Sequence, residues 1–260
     1  MKSLNQFIFS TATVLALMGC GAEDSCDDYY DLTAWDQNTD GVTDHRIQFI
    51  GDSIIAYHEI NCRGVSNQVG FAIQEQVTSH AVIGAKVHEI EHQFQPASEG
   101  TDYSLIVING GLNDLIADVK VGNPDATPCN CNEKPNHDAC LQEVEDVSNR
   151  MQNLINNLQT QSNADIAIMS YYPAEVSYSF IGQCFPYVEM MHNNYRAMAQ
   201  ENGSITFVET YGENRPIIEK VNQYGYDQYH PTQAGSEQLA QFIVKQTKLQ
   251  ELTPEVSGEE

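Results

Sequence analysis

A serine that directly follows a short apolar segment is the first group in this sequence suited to nucleophilic chemistry. Residues 46–50 are rich in Ile and predict a buried strand, and Gly51, Asp52 and Ser53 follow at once. A serine at such a turn lies at the carboxyl edge of a sheet, where open α/β folds bind their ligands. Backbone N–H groups at the same turn are suited to stabilise an oxyanion beside the serine hydroxyl.

A histidine near the carboxyl end of the chain is a candidate general base. His230 precedes Pro231, which fits the first turn of a predicted helix, and Asp227 lies three residues before the histidine. In a tight turn the Asp227 carboxylate reaches the imidazole, which fixes the tautomer of the ring and stabilises its cation.

Two glycine-containing turns lie at the ends of further predicted strands. Residues 81–83 predict a short second strand that ends at Gly84, whose N–H can approach a bound ligand. Residues 103–109 predict a strand that is apolar on both faces, as in a parallel sheet. Asn113 follows that strand and can aim its amide at the sheet edge. Taken alone, each motif is also explained as an ordinary turn.

Helices and strands alternate between these turns. Apolar residues recur at helical spacing in several segments and at strand ends in others. The predicted helices span residues 65–78, 141–158 and 187–201, with a last helix after Pro231, and further strands are predicted at residues 166–169 and 205–208.

Four motifs therefore stand in order on one edge of a predicted parallel sheet: residues 51–53, Gly84, residues 111–114 and residues 227–231. In this order the sequence resembles the SGNH, or GDSL-type, hydrolase family over nearly all of residues 47–245. The resemblance implies a flavodoxin-like three-layer α/β/α sandwich with a five-stranded parallel sheet.

The resemblance also implies a role for each matched residue. Ser53 corresponds to the nucleophile, His230 to the general base, and Asp227 to the acid that orients the base. The backbone N–H of Ser53, Gly84 and the side chain of Asn113 correspond to the oxyanion hole. The implied reaction is hydrolysis of a carboxylic ester through an acyl-enzyme, with no cofactor for catalysis.

The implied substrate is a small-molecule or polysaccharide ester. Within the same mechanism, a cell-surface carbohydrate O-deacetylase is the alternative enzyme. A non-catalytic, calcium-stabilised binding protein on this scaffold is the alternative outside catalysis. The sequence departs from the family pattern at Ile54, where leucine is usual, at Gln228, where glycine is frequent, and around Gly84.

The amino-terminal residues predict an exported lipoprotein. Residues 7–18 are an apolar run that is too short to span a bilayer, which needs about 20 residues, but is suited to a signal peptide. Residues 17–20 resemble a lipobox, which implies removal of residues 1–19 and lipid attachment to Cys20. We expect a lipid anchor at the bacterial cell envelope as the sole membrane contact, with an ordinary secreted signal peptide as the alternative.

The mature chain divides into three predicted regions: a polar tether (residues 20–45), the hydrolase domain (residues 46–250) and an acidic tail (residues 251–260). In the tether, Asp36, Asn38 and Asp40 precede Gly41 with the spacing that begins calcium-binding loops. Ile47 stands where an EF-hand has its bidentate Glu, so a full EF-hand is excluded. A structural calcium site and a solvated turn both stay open as interpretations.

Seven cysteines accompany the export signal, and setting Cys20 aside for lipidation leaves six. An even number in an oxidising compartment predicts three disulfides, formed among Cys26, Cys62, Cys129, Cys131, Cys140 and Cys184. The alternative is a metal site at Cys129, Cys131, His137 and Cys140, although zinc sites usually have wider spacing between paired cysteines.

The net charge argues against nucleic acid and anionic lipid as partners. The chain has 12 Lys and Arg against 36 Asp and Glu, which gives a formal net charge of −24 at pH 7. Such a surface repels nucleic acid and anionic lipid. The length suffices for one sizeable α/β domain, and no sequence feature indicates an oligomeric state.

Overall fold

The computed structural model describes residues 47–59, 62–73, 77–97, 102–116, 128–133, 135–172, 181–211 and 229–249. The predicted lipidation site Cys20, the predicted calcium ligands Asp36, Asn38 and Asp40, and the predicted acid Asp227 lie outside these residues. In the described part of the chain, no helix is both long and apolar enough to cross a membrane.

Five parallel strands form the sheet: β1 (Ile47–Gly51), β2 (Val77–Ser79), β3 (Leu105–Asn109), β4 (Asp165–Met169) and β5 (Ile205–Val208). Their order is β2-β1-β3-β4-β5, the flavodoxin-like order. Every residue of β1 and β3 is buried, as expected for central strands covered on both faces. The register pairs Gly51 with Asn109, so β1 and β3 end at the same level.

Seven α-helices cover the sheet: α1 (Ser53–Ala56), α2 (Val65–Ile73), α3 (Val87–Ile90), α4 (Leu112–Leu115), α5 (His137–Gln161), α6 (Phe185–Glu201) and α7 (Gln233–Gln246), counted within the described residues. Helix α2 packs against α7, while α5 packs against α3, α4 and α6. These two groups of helices confirm the predicted three-layer α/β/α sandwich. The helix predicted at residues 141–158 corresponds to α5, and its apolar stripe from Val144 to Leu158 is buried.

The second strand is the clearest error of the sequence-based prediction. Helix α2 ends at Ile73, and β2 is formed by Val77–Ser79, which the prediction had placed in the helix. Residues 81–83 are not a strand, and Val82 and Ile83 are 54% and 65% exposed. The prediction favoured residues 81–83 because they are more apolar than residues 77–79. The observed β2 lies at the edge of the sheet, where polar side chains tolerate exposure to solvent. Its place is set by pairing with β1.

Two disulfides tie the segment after α4 to the helices. Cys129 is bonded to Cys140 and Cys131 to Cys184, and Cys62 is disulfide-bonded as well. The alternative of a metal site at these cysteines is therefore wrong, because their sulfur atoms bond to one another. His137 instead places its Nδ1 3.1 Å from the Tyr187 hydroxyl.

The longer disulfide loop should contribute more stability. Sequence separations of 11 and 53 residues give chain-entropy contributions of about 3 and about 4 kcal/mol. We expect Cys131→Ala/Cys184→Ala to lower the free energy of unfolding more than Cys129→Ala/Cys140→Ala does. Urea unfolding of the two double variants measures this difference, and peptide mapping without reductant should recover both linked pairs. The opposite ranking would contradict the entropic argument.

Candidate active site

Ser53 lies at the sharp turn between β1 and α1. Gly51 has φ +155°, and a Cβ there would lie 2.5 Å from the Asn109 carbonyl oxygen, so only glycine fits beside β3. The Asp52 carboxylate caps α1 by accepting the Ile54 N–H at 3.0 Å. Ser53 is the first residue of α1 and is 7% exposed.

A buried glutamine completes the hydrogen bonding at the end of β1. The Gln93 side chain accepts the Gly51 N–H at 2.7 Å and donates to the Gly51 carbonyl at 3.0 Å. β2 pairs with β1 only as far as Phe49, and beyond it the Val82 N–H still donates to the Gly51 carbonyl at 3.0 Å. Gln93 therefore adds a second donor to that carbonyl and supplies the acceptor for the Gly51 N–H. No sequence pattern indicated this residue.

Asn113 joins three of the predicted turns. Its Nδ2 donates to the Ala85 carbonyl at 3.1 Å and to Asp52 Oδ2 at 3.3 Å. Asn113 sits in α4, whose N-cap Gly111 has φ +118°. A Cβ on Gly111 would lie 2.5 Å from Met191 Sδ. The structure therefore brings Asn113 to the turn that carries Ser53, as the sequence predicted.

Gly84 does not end a strand, contrary to the prediction. It lies on an exposed turn with φ +80°, and a Cβ would enter open space. The turn is closed by the Ala85 N–H, which donates to the Val82 carbonyl at 3.1 Å. Because Ala85 also accepts from Asn113, the Gly84 turn borders the same site.

His230 is placed beside α1 by an aromatic contact. Its ring stacks on Tyr57 with centroids 4.3 Å apart and planes 9° from parallel. Tyr57 follows Ser53 by one helical turn, and its N–H donates to the Ser53 carbonyl at 2.9 Å. The base and the nucleophile predicted from the sequence thus flank the same short helix. Pro231 was predicted to lie in the first turn of α7. It lies just outside that turn, because it precedes the helix cap Thr232.

The Asp52 carboxylate is buried next to Ser53 and is shared by three donors. Oδ1 accepts the Ile54 N–H, and Oδ2 accepts the Asn113 amide and, at 2.5 Å, the Tyr171 hydroxyl. Burial raises the pKa of Asp52 to about 7, against the opposing effect of the hydrogen bonds from Tyr171 and Ile54. The sequence analysis assigned Asp52 no role of its own.

Tyr171 follows β4 and was also missed. Its hydroxyl accepts the Leu112 N–H at 3.1 Å while donating to Asp52. Burial, and next the negative charge of Asp52, raise the pKa of Tyr171 well above its usual value, so its proton stays in place. Its position directly after a predicted strand was the one available signal, since Ser53 and Asn113 also follow strands.

The buried His192 holds the backbone of Tyr171 in place by a hydrogen bond. Its Nε2 accepts the Tyr171 N–H at 3.0 Å, and its Nδ1 lies 3.0 Å from the Tyr211 hydroxyl. Burial lowers the pKa of His192 to about 3, so the ring is neutral and carries its proton on Nδ1. This histidine is a structural residue with no access to solvent.

Asp114 fastens α4 to its neighbours. Its Oδ2 accepts the Val87 N–H at 3.1 Å, and its Oδ1 accepts a hydrogen bond from Arg150 of α5 at 3.1 Å. Burial raises the pKa of Asp114 to about 6, opposed by Val87 and Arg150. These contacts fix the helix that carries Asn113. Within the described residues, no group of three or more His, Cys, Asp or Glu side chains is arranged to hold a metal ion.

Asp52 should make stability fall as the pH rises. Its pKa is about 7 in the folded chain against an ordinary 3.8, so the unfolded chain loses this proton first. The resulting destabilisation begins near pH 4 and is complete above about pH 7. Three pH units correspond to about 4 kcal/mol. We expect Asp52→Asn, which keeps the size and an acceptor oxygen, to remove this dependence.

Urea unfolding of wild type and Asp52→Asn at pH 5 and pH 8 provides the measurement. The wild type should lose about 2–3 kcal/mol more than the variant over this interval. Burial also raises the pKa values of Glu59 and Asp114, but both residues are present in the two proteins and cancel. An equal pH response of the two proteins would contradict the prediction.

Solved structures share this fold at low sequence identity. A member of the lipolytic protein G-D-S-L family from Veillonella parvula is 16% identical, with a TM-score of 0.54, over 77% of this chain and 96% of that chain. A carbohydrate esterase family 2 enzyme with a carbohydrate binding domain from Corynascus thermopiles is 14% identical, with a TM-score of 0.55, over 81% and 67%. An acetyl xylan esterase is 15% identical, with a TM-score of 0.52, over 77% and 98%.

Sequence comparison identifies the family directly. No curated protein matches the sequence, but the pattern of the GDSL-like lipase/acylhydrolase family matches residues 49–238. This stretch contains Ser53, Gly84, Asn113 and His230, and it covers most of the 260 residues. The chain therefore belongs to the GDSL-like lipase/acylhydrolase family and is an enzyme that hydrolyses ester bonds.

Proposed function

We propose that this enzyme hydrolyses carboxylic esters with Ser53 as nucleophile, His230 as general base and Asp227 as the acid that orients the base. The observation that carries the proposal is that Asn113 and His230 both lie beside α1, the short helix that begins with Ser53. On one side, Asn113 contacts the turn that leads into Ser53. On the other side, His230 stacks on Tyr57, one helical turn after Ser53.

In the proposed acylation step, His230 takes the proton of Ser53 as its Oγ attacks the ester carbonyl carbon. The carbonyl oxygen becomes an oxyanion, and its donors are the backbone N–H of Ser53, the turn at Gly84 and the amide of Asn113. Collapse of this intermediate breaks the ester C–O bond, and His230 gives its proton to the departing alcohol. In the proposed deacylation step, His230 takes a proton from water as the water attacks the acyl-enzyme. The same oxyanion donors stabilise the intermediate, and its collapse releases the acid and regenerates Ser53.

The hydrogen bonds of Asn113 indicate how the oxyanion hole would form. Of its two contacts, the one to Asp52 Oδ2 is the longer, at 3.3 Å, and Tyr171 donates to the same oxygen. An approaching substrate oxygen can therefore compete for this N–H without leaving Asp52 unpaired. The bond to the Ala85 carbonyl, at 3.1 Å, would keep the amide in place meanwhile.

Aromatic and aliphatic side chains pack together around a small gap in the segments that carry Asn113 and His230. A small cavity among the described residues has Leu112 and Tyr229 in its lining, which are the sequence neighbours of Asn113 and His230. It is lined by Leu112, Tyr171, Tyr172, Ile181, Gly182, Phe185, Val188 and Tyr229. The cavity is about the size of one water molecule, so it is a packing gap and supplies no room for an acyl group.

Lipid anchoring, export and a calcium site stay predictions from the sequence.

A hydrolysis screen tests the proposal. The panel contains p-nitrophenyl esters of increasing acyl length and acetylated xylan, which is included because an acetyl xylan esterase shares the fold. Preference for acetylated polysaccharide over the simple esters would favour the carbohydrate O-deacetylase alternative. Absence of turnover on every ester by folded wild-type protein would contradict the proposed function.

Ser53→Ala and His230→Ala should each abolish nearly all turnover. The two residues act as one proton-transfer unit, so the double variant should be no worse than either single variant. Ser148→Ala is the matched control, because it removes another buried hydroxyl, which donates to the Val144 carbonyl on α5. Near-normal turnover by a folded Ser53→Ala or His230→Ala variant would disprove the assignment.

Asn113→Ala should slow kcat by about 10²–10³ and leave KM nearly unchanged, because the lost donor acts mainly on the charge that develops in the transition state. Steady-state kinetics on the best ester of the screen gives both parameters. A change confined to KM would instead assign Asn113 to ground-state binding of the substrate.

A further inference from the structure

Two tyrosine rings pack against the His230 ring. Tyr57 covers one face in a near-parallel stack, with centroids 4.3 Å apart and planes at 9°. Tyr229 meets the ring edge-on, with centroids 5.3 Å apart and planes at 66°. The buried Tyr172 hydroxyl donates to the Tyr229 carbonyl at 2.5 Å, which fixes the backbone directly before His230.

Tyr57 is itself held in place from two directions. Its N–H donates to the Ser53 carbonyl at 2.9 Å and closes the single turn of α1. The His58 ring packs edge-on against Tyr57, with centroids 4.6 Å apart and planes at 77°. The Tyr57 backbone is therefore fixed to the turn that carries Ser53, and the Tyr57 ring packs between His58 and His230.

A general base must lie within hydrogen-bond reach of the proton that it removes, and a displacement of about 1 Å can cost about 10²-fold in rate. His230 and Ser53 are 177 residues apart in the sequence, so their relative position depends on tertiary contacts. The stack on Tyr57 links the imidazole plane to the carboxyl end of α1.

We propose that Tyr57 is a positioning residue for His230, whose flat ring holds the imidazole in the orientation needed to accept the Ser53 proton. The inference rests on the proposed function of His230 and adds a residue to it. The flat face is the essential property, and the hydroxyl is dispensable. Tyr57 acts through His230 and does not contact the reacting atoms.

The experiment compares aromatic and non-aromatic replacements. Tyr57→Phe and Tyr57→Trp keep a flat face, and we expect kcat within about 3-fold of wild type. Tyr57→Leu and Tyr57→Met keep apolar bulk, and we expect kcat about 10–100-fold lower with KM within about 2-fold. Tyr103→Leu is the control, because this half-buried tyrosine packs against Phe94 before β3, at the opposite end of the sheet.

A double variant separates positioning from other roles. In a His230→Ala background, Tyr57→Leu should cause no further loss of the residual rate, because nothing remains for the stack to orient. Additive losses, a change confined to KM, or equal rates for Tyr57→Leu and Tyr57→Phe would each overturn the proposal for Tyr57. Full turnover by His230→Ala would instead overturn the proposed function of His230, and the proposal for Tyr57 with it.

Folding of the variants is measured independently of activity. We expect Tyr57→Leu and Tyr57→Met to have urea unfolding midpoints similar to that of Tyr103→Leu. If Tyr57→Leu fails to fold, the comparison of Tyr57→Met with Tyr57→Phe replaces it. The proposal again requires a lower kcat for Tyr57→Met with a nearly unchanged KM. A fall in kcat that follows the loss of stability across all variants, the Tyr103 control included, would overturn the positioning role.

Discussion

The buried carboxylate of Asp52 is the group on which the geometry of the site depends. A carboxylate that is 1% exposed is costly to bury unless its oxygens accept hydrogen bonds. Three donors meet this need, and they come from three segments: the Ile54 N–H from α1, the Asn113 amide from α4, and the Tyr171 hydroxyl after β4. Because these donors share one carboxylate, their hydrogen bonds to Asp52 fix the position of the Ser53 turn relative to Asn113.

The sheet provides the frame for this carboxylate. β1 and β3 run side by side in register, so their ends deliver residues 51–53 and 111–114 to the same level. Two close approaches make the turns possible, since Gly51 lies against the Asn109 carbonyl and Gly111 against Met191. His230 arrives from the loop before α7, a helix that packs on α2. The two halves of the site thus depend on different parts of the core.

Local pattern predicted much of the fold because periodicity and strand composition reflect burial directly. β5 was predicted at its observed bounds, and α5 was predicted from its buried stripe, although Asn136 caps it four residues earlier than expected. β2 was misplaced because an edge strand is defined by its partner and not by its own hydrophobicity. The pairing of the cysteines likewise depends on which chain segments meet, which their spacing alone did not reveal.

The sequence by itself determined the family of this protein and its class of reaction, the hydrolysis of an ester bond. The order of Ser53, Gly84, Asn113 and His230 was enough to reveal a resemblance to the SGNH hydrolases, which implied an ester hydrolase, because each motif is local. Tertiary structure alone decided which groups support them. Tyr171 meets Asp52 across 119 residues, and Gln93 meets Gly51 across 42. Such contacts leave no periodic trace in the chain, since a single side chain becomes a partner only when the packed sheet brings its target within hydrogen-bond distance.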